Sequence, residues 1–153
     1  VRQVFESSDG LIVLDQITKQ MVVKSLAWFE VQPVFSGFNF VHLRNTGAAF
    51  SMLAGATPVF FILRGVGVSL GILWWLRKHP TGQQMIAIAF SLILGGALGN
   101  VIDRFRFGYV IDFIQWYWHD HYWPVFNLAD SSIVVGAVAL ALFGLFAHKE
   151  SQP

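Results

Sequence analysis

The chain has 153 residues, of which 55% are hydrophobic and 12% charged, and its mean hydropathy is +0.57. These values lie outside the usual range of soluble proteins and predict a single membrane-embedded domain over residues 1–153. A formal net charge of +1, without a basic tract, argues against a nucleic-acid partner. Because the sequence has no cysteine, it excludes a disulfide, a thiol nucleophile and a thiolate metal site.

Four apolar stretches predict helices that cross the bilayer, which takes about 20 mostly apolar residues. The expected fold class is therefore an all-α integral membrane protein with four transmembrane helices, with approximate spans 11–27, 58–76, 85–103 and 128–147. The first span follows a few polar residues and carries Asp15 and Lys19, so it is expected to be short. These two side chains stand four residues apart on one helix face, where they are expected to pair.

Two long connections, 28–57 and 105–126, are predicted to lie outside the membrane. Within the first, aromatic and β-branched residues partly alternate from Val34 to Leu43, which predicts a small β element. The second is rich in aromatic residues and is predicted to be an interfacial loop. Lysine and arginine are divided almost equally between the two sides, so the positive-inside rule does not orient the chain.

The second and third spans contain further signals. The sequence "RKHPTG" between them, with Pro80 and Gly82, predicts a short turn between antiparallel helices. The GxxxG patterns at Gly67–Gly71 and Gly95–Gly99 predict close helix packing. Arg64 lies inside the second span, and its spacing from other polar residues does not explain it; the alternatives are a side chain that extends to the interface and one that bonds to carbonyl oxygens of a neighbouring helix.

Ionisable and amide side chains concentrate at one end of the predicted spans, on the side of the two long connections. A charge at the centre of a membrane helix costs roughly 2.5–3.5 kcal/mol or more, so each such residue requires a partner or a function. Two Asn–Asp pairs with a spacing of three are each expected to share a helix face. The whole group is expected to converge on one site, and its members are Asn45, Asn100, Asp103, Arg104, Asp112, Asn127 and Asp130.

Asp112 and Asp130 have apolar neighbours and no basic residue close in sequence. Two carboxylates in such surroundings bind protons more tightly, and within hydrogen-bonding distance they tend to share one. This is the acid–base arrangement of an aspartic peptidase. One ionised carboxylate takes a proton from the attacking water, while the protonated partner polarises the substrate carbonyl and assists departure of the amine.

The residues by themselves leave other interpretations open. Asp130 also suits the N-cap of the last helix, and Asp103 or Arg104 suits local capping and pairing. The same carboxylates would serve a small proton- or ion-conducting transporter, whereas a lipid-binding scaffold would use them only as caps. The loop pair His119 and His121 is an unspecific metal motif.

Five sequence blocks occur in order: "LDQITK" (14–19), "RNTGAAFS" (44–51), "GGALGNVIDR" (95–104), "VIDFI" (110–114) and "FNLADSSI" (126–133). Over about residues 11–147 the chain resembles the lipoprotein signal peptidases, signal peptidase II. The resemblance implies a multi-pass aspartic endopeptidase of the bacterial inner membrane that removes the signal peptide from prolipoproteins, just before the cysteine that carries diacylglycerol. It implies no cofactor and no metal, with both termini in the cytoplasm and the β element and active site at the outer, periplasmic face.

By motif, the family's catalytic aspartates fall on Asp112 and Asp130. The resemblance also implies substrate-binding or dyad-orienting roles for Asp15, Lys19, Asn45, Asn100, Asp103, Arg104 and Asn127. The expected partners are diacylglyceryl-prolipoprotein substrates and membrane lipids, without nucleic acid, and the protein is expected to be a monomer. Residues 28–57, which contain Gly37, Gly47 and Gly55, are expected to close over the substrate.

Overall fold

The computed structural model describes residues 2–47, 58–78 and 84–150, with side chains over 4–47, 58–78 and 84–144. The predicted turn with Pro80 and Gly82, and Gly55 of the proposed closing segment, lie outside the described residues. Four helices are present in the described part of the chain, and they are α1 (Arg2–Ser25), α2 (Pro58–Lys78), α3 (Gln84–Phe107) and α4 (Leu128–Glu150).

Two of these helices, α2 and α3, are long and apolar enough to cross a membrane, and α4 contains a shorter apolar stretch, Leu128–Gly144. α1 begins at Arg2, so the expectation of a short first helix starting at residue 11 was wrong. One of its early polar residues, Ser8, is buried and has partners, since its hydroxyl donates to the carbonyls of Val4 (2.7 Å) and Ser91 of α3 (3.1 Å). At 1.5 Å per residue, its 24 residues extend about 36 Å.

α3 packs against each of the other three helices, and its glycines permit close approach. A Cβ at Gly95 would lie 2.8 Å from Leu11 Cδ2, and one at Gly99 would lie 2.7 Å from Asp15 Oδ2. The packing predicted for this glycine pair is therefore confirmed, with α1 as the partner. The prediction for Gly67–Gly71 was wrong, because no neighbouring atom lies within 4 Å of the corresponding Cβ positions in the described part of the structure.

A four-stranded antiparallel sheet, in the order β1-β2-β3-β4, joins the two long connections. The predicted β element becomes a hairpin of β1 (Val31–Phe35) and β2 (Phe38–Asn45). The segment 105–126 is not only a loop, because α3 continues to Phe107 and the chain then forms β3 (Val110–Trp118) and β4 (His121–Tyr122). The β-branched and aromatic side chains of β3 suit a strand, and β2 supplies the backbone partners.

The sheet is attached to the helices at the end where the polar residues were predicted to converge. Phe126, two residues before α4 begins, pairs with Ile114 of β3 through hydrogen bonds of 2.8 and 3.1 Å. At the other side, His42 Nδ1 lies 3.0 Å from the carbonyl oxygen of Leu26, just beyond α1. These contacts place β3, the first turn of α4 and the last turns of α1 beside each other.

Candidate active site

The two predicted catalytic aspartates lie on different elements that the sheet holds together. Asp112 is the third residue of β3 and is completely buried, while Asp130 is half-buried in the first turn of α4. Asn127 contacts both of them. Its amide nitrogen Nδ2 donates to Asp112 Oδ1 at 2.7 Å, and its backbone N–H donates to Asp130 Oδ2 at 3.3 Å.

The remaining oxygen of each carboxylate also accepts a hydrogen bond from an asparagine amide. Asn45 Nδ2 donates to Asp112 Oδ2 at 2.8 Å, and Asn100 Nδ2 donates to Asp130 Oδ1 at 2.7 Å. The structure thus brings together all three asparagines and both aspartates that the sequence selected. Four donors on four oxygens fix the orientation of both carboxylates and stabilise their ionised forms.

The start of α4 shows why Asp130 resembled a helix cap. Asn127 is the N-cap residue, because its Oδ1 accepts the backbone N–H of Asp130 at 2.9 Å while its own N–H donates to Asp130 Oδ2. This reciprocal pair is a capping box. The N-cap interpretation of Asp130 is therefore corrected: Asp130 closes the box with one oxygen and presents the other to Asn100.

Asp112 holds its proton unusually tightly. Burial raises the pKa of the Asp112 carboxyl from 3.8 to about 7, and the negative charge of Asp130 adds to that rise. The amides of Asn45 and Asn127 and the charge of Lys19 act in the opposite direction. A carboxyl group that titrates near neutral pH beside a second carboxylate is suited to exchanging a proton during a reaction.

Behind the aspartates, Lys19 of α1 is buried in an ion-pair network. Its Nζ lies 2.7 Å from Asp15 Oδ2 and 2.8 Å from Asp103 Oδ2, which confirms the predicted pair with Asp15. The same nitrogen donates to Asn100 Oδ1 at 3.1 Å. Since an ammonium group only donates, this contact turns the amide nitrogen of Asn100 toward Asp130.

Asp15 and Asp103 support the network without touching either aspartate of the pair. Asp15 Oδ1 accepts the backbone N–H of Ala129 at 3.0 Å, which joins α1 to the first turn of α4. Asp103 accepts from Gln16 Nε2 at 2.7 Å and from the backbone N–H of Ile111 at 3.3 Å. The sequence analysis missed Gln16, although it lies inside the block "LDQITK" and three residues before Lys19.

Arg104 lies on the other side of the site, where its charge interacts with both Asp112 and Asp130. Its guanidinium stacks over the ring of Phe61 at 4.9 Å, and its Nη1 has a long contact of 3.4 Å with the carbonyl oxygen of Asn100. Arg104 therefore does not cap α3, which continues to Phe107. Its hydrogen-bonding capacity is incompletely used among the described residues, since its buried Nε has no partner there.

Each aspartate lies in the wall of a different cavity. Asp112 lines a cavity of about 480 Å³ together with Arg44, Asn45 and Trp123, on the sheet side. Asp130 lines a narrower cavity of about 200 Å³ between α2, α3 and α4, together with Asn100, Arg104 and Arg64. The two aspartates thus lie between an outer cavity beside the sheet and an inner cleft between helices.

Comparisons with known proteins agree with this arrangement. A family model described as "Signal peptidase (SPase) II" matches residues 10–146 of the chain. The chain belongs to the signal peptidase II family. It is therefore a peptidase, and both aspartates lie within the matched region.

Relatives and solved structures cover nearly all of the chain. The lipoprotein signal peptidase of Xylella fastidiosa (strain 9a5c) is 48% identical over 148 residues, which are 94% of this chain and 89% of that protein. The lipoprotein signal peptidase of Alteromonas mediterranea is 44% identical over 143 residues, 92% of this chain and 78% of that protein.

Two solved structures, both titled as bacterial membrane enzymes, share the fold. One has a TM-score of 0.89 at 27% identity, covering 99% of this chain and 93% of the other. The second has a TM-score of 0.85 at 28% identity, covering 95% and 94%. The protein is thus a membrane enzyme with a helical body and a small sheet.

Proposed function

We propose that the protein removes the signal peptide from diacylglyceryl-modified prolipoproteins, with Asp112 and Asp130 as its catalytic pair. The main observation behind this proposal is the environment of the two carboxyl groups. One carboxyl is completely buried with a pKa near 7, the other is accessible from the helix cleft, and the Asn127 side chain and backbone contact both. Near neutral pH, Asp112 is thus able to hold or release a proton beside the second carboxyl group, as an aspartic acid–base pair requires.

The chemistry follows from the charges around the pair. The ionised aspartate takes a proton from a water molecule, which attacks the carbonyl carbon of the peptide bond before the lipidated cysteine. The protonated aspartate donates a hydrogen bond to the carbonyl oxygen, on which negative charge develops, and the departing amine takes up a proton from the pair. Arg104, whose charge already interacts with both aspartates, further stabilises the tetrahedral intermediate.

The cavities suggest how the substrate lies. We place the signal peptide in the cleft between α2, α3 and α4, where the walls are helices, and the lipidated cysteine and following residues in the cavity beside the sheet. The scissile bond then lies between Asp112 and Asp130. The hypothesis that residues 28–57 close over the substrate fits the position of Asn45 at the end of β2, in contact with Asp112.

The same arrangement supports a proposed topology. All four helices cross the bacterial inner membrane in a single domain over residues 1–153, with both termini in the cytoplasm and the sheet at the periplasmic face. The membrane-length helices α2 and α3 and the apolar part of α4 support this topology. We further propose that the protein is a monomer surrounded by membrane lipids. No residue in the proposed reaction requires a metal or a cofactor.

The test uses the purified protein in lipid micelles with a diacylglyceryl-modified prolipoprotein, and mass spectrometry of the products. We expect one cut, immediately before the modified cysteine, and no cut in the unmodified precursor. The competing transporter hypothesis is tested with the same preparation in liposomes. Proton flux that disappears in Asp112→Asn, without any prolipoprotein cleavage by the parent chain, would replace the proposed function.

A further inference from the structure

Arg64 is a cation inside an otherwise apolar helix. It is the seventh residue of α2 (Pro58–Lys78), whose length and composition suit a membrane span. At 1.5 Å per residue it lies roughly 9 Å along the helix from Pro58. A charge within a membrane helix is costly, so its position calls for a partner or a ligand.

The packing of α2 turns Arg64 toward the active-site cleft. At the next residue, a Cβ on Gly65 would collide with Val101 Cγ2, so α2 and α3 approach closely at this level. Phe61, one turn before Arg64, lies under the guanidinium of Arg104. Phe61, Arg64 and Gly65 all line the cleft that contains Asp130.

Within the described part of the chain, Arg64 forms no ion pair with an acidic side chain of this cleft. Among the described residues, the ionisable groups that line it are Arg64, Arg104 and Asp130. Both oxygens of Asp130 already accept hydrogen bonds from Asn100 and Asn127, and Arg64 forms no ion pair within the described part of the chain. Its charge also repels that of Arg104. The cleft therefore has an excess of positive charge and of hydrogen-bond donors.

We propose that Arg64 is a specificity-determining residue that binds carbonyl oxygens of the substrate on the signal-peptide side of the scissile bond. The inference rests on the proposed function, because it requires the substrate to lie in the cleft beside Asp130. Five N–H donors on a planar group suit neutral oxygen acceptors that carry no hydrogen of their own. On that side of the bond the acceptors are the carbonyl oxygens of the peptide backbone, since the ester groups of the diacylglyceryl moiety belong to the cysteine on the other side.

The test compares Arg64→Met with Arg64→Lys and with a matched control, Arg77→Met. Arg77 is exposed, as Arg64 is, but it lies near the other end of the same helix and does not line the cleft. Hydrogen bonds to charged groups correspond to roughly tenfold or more in affinity. We expect Arg64→Met to raise KM about tenfold or more with little change in kcat, Arg64→Lys to recover part of the loss, and the control to match the parent.

A substrate with ether-linked chains identifies the carbonyl source. We expect Arg64→Met to raise KM for the ester and the ether substrate alike, because the backbone carbonyl oxygens are the ligand. A rise in KM for the ester substrate only would assign Arg64 to the lipid ester groups and overturn its placement on the signal-peptide side. A KM that is unchanged in Arg64→Met would overturn the inference. Should Arg64→Met melt at a lower temperature than the control, Arg64→Leu, which also removes every N–H donor, replaces it in the same comparison.

The result also separates this inference from the proposed function. If the parent chain cleaves no prolipoprotein, the proposed function fails irrespective of Arg64. Direct binding of a fluorescent diacylglyceryl lipopeptide to the parent and to Arg64→Met then tests the inference by itself. About tenfold weaker binding by the variant would support it, and equal binding would overturn it.

Discussion

Removal of the Asn45 amide tests whether Asp112 supplies the proton on which the reaction depends. Asn45 Nδ2 donates to Asp112 Oδ2 at 2.8 Å and stabilises the ionised form of that carboxyl. Asn45→Ala destabilises the ionised form and therefore raises the pKa of Asp112 further. A pair that needs one shared proton loses activity as the pH rises through the higher pKa, so the alkaline limb of the pH–rate profile should move to higher pH.

The size of the shift follows from the bond that is lost. A hydrogen bond to a charged group contributes roughly 1.5–3 kcal/mol, and 1.36 kcal/mol corresponds to one pKa unit. Because Asn45 is only half-buried, water replaces part of its contribution, and we take the lower end of that range. From its value of about 7 in the parent, the pKa of Asp112 is expected to rise to about 8 or above.

The assay is the pH dependence of kcat/KM for prolipoprotein cleavage between roughly pH 5 and 10, a range that brackets the Asp112 pKa. Asn39→Ala is the matched control, since Asn39 lies on the same strand and donates to Gln115 at 3.0 Å, away from the aspartates. The control should keep the parent alkaline limb. An alkaline limb that stays in place or moves to lower pH in Asn45→Ala would refute the reasoning.

Two further predictions concern the frame around the site. Lys19→Met leaves two carboxylates without their buried partner, so we expect the free energy of unfolding in detergent to fall by roughly 3–5 kcal/mol. The control is Lys24→Met, which should change this free energy little because Lys24 is exposed. A loss of less than about 1 kcal/mol from Lys19→Met would contradict the proposed network. Gly96→Ala places a Cβ against the Ala129 carbonyl oxygen and should destabilise the α3–α4 contact by roughly 1–3 kcal/mol. Gly71→Ala, whose Cβ meets no atom within 4 Å in the described structure, should be neutral or stabilising in the same unfolding measurement. Equal melting temperatures for the two alanine variants would show that α3 and α4 do not pack as described.

The helices and the polar cluster were predictable because their signals are local. Apolar length located α2 and α3, and the spacing of four predicted the pair of Asp15 with Lys19. The apolar surroundings of Asp112 indicated a carboxyl group that holds its proton. Each of these signals is contained in a few consecutive residues, and the structure preserves each of them.

The remaining features depend on contacts between distant segments. The pairing of β2 with β3 joins residues such as Leu43 and Asp112, and no local pattern specifies such a partner. The start of α1 was missed because the polar Ser8 finds its second acceptor on Ser91, far along the chain. Gln16 was missed for the same reason, since its partner Asp103 lies on another helix. Asp130 resembled an N-cap because it belongs to a capping box whose N-cap is Asn127.

The most direct test of the central claim is cleavage of diacylglyceryl-modified prolipoprotein by the parent chain, Asp112→Asn and Asp130→Asn at equal amounts of folded protein. Asparagine keeps the shape of each side chain but cannot take up or release the shared proton. We expect the parent to cleave, and both variants to lose cleavage while retaining binding of the lipopeptide. Cleavage at the parent rate by either variant would contradict the assignment of that aspartate to the catalytic pair.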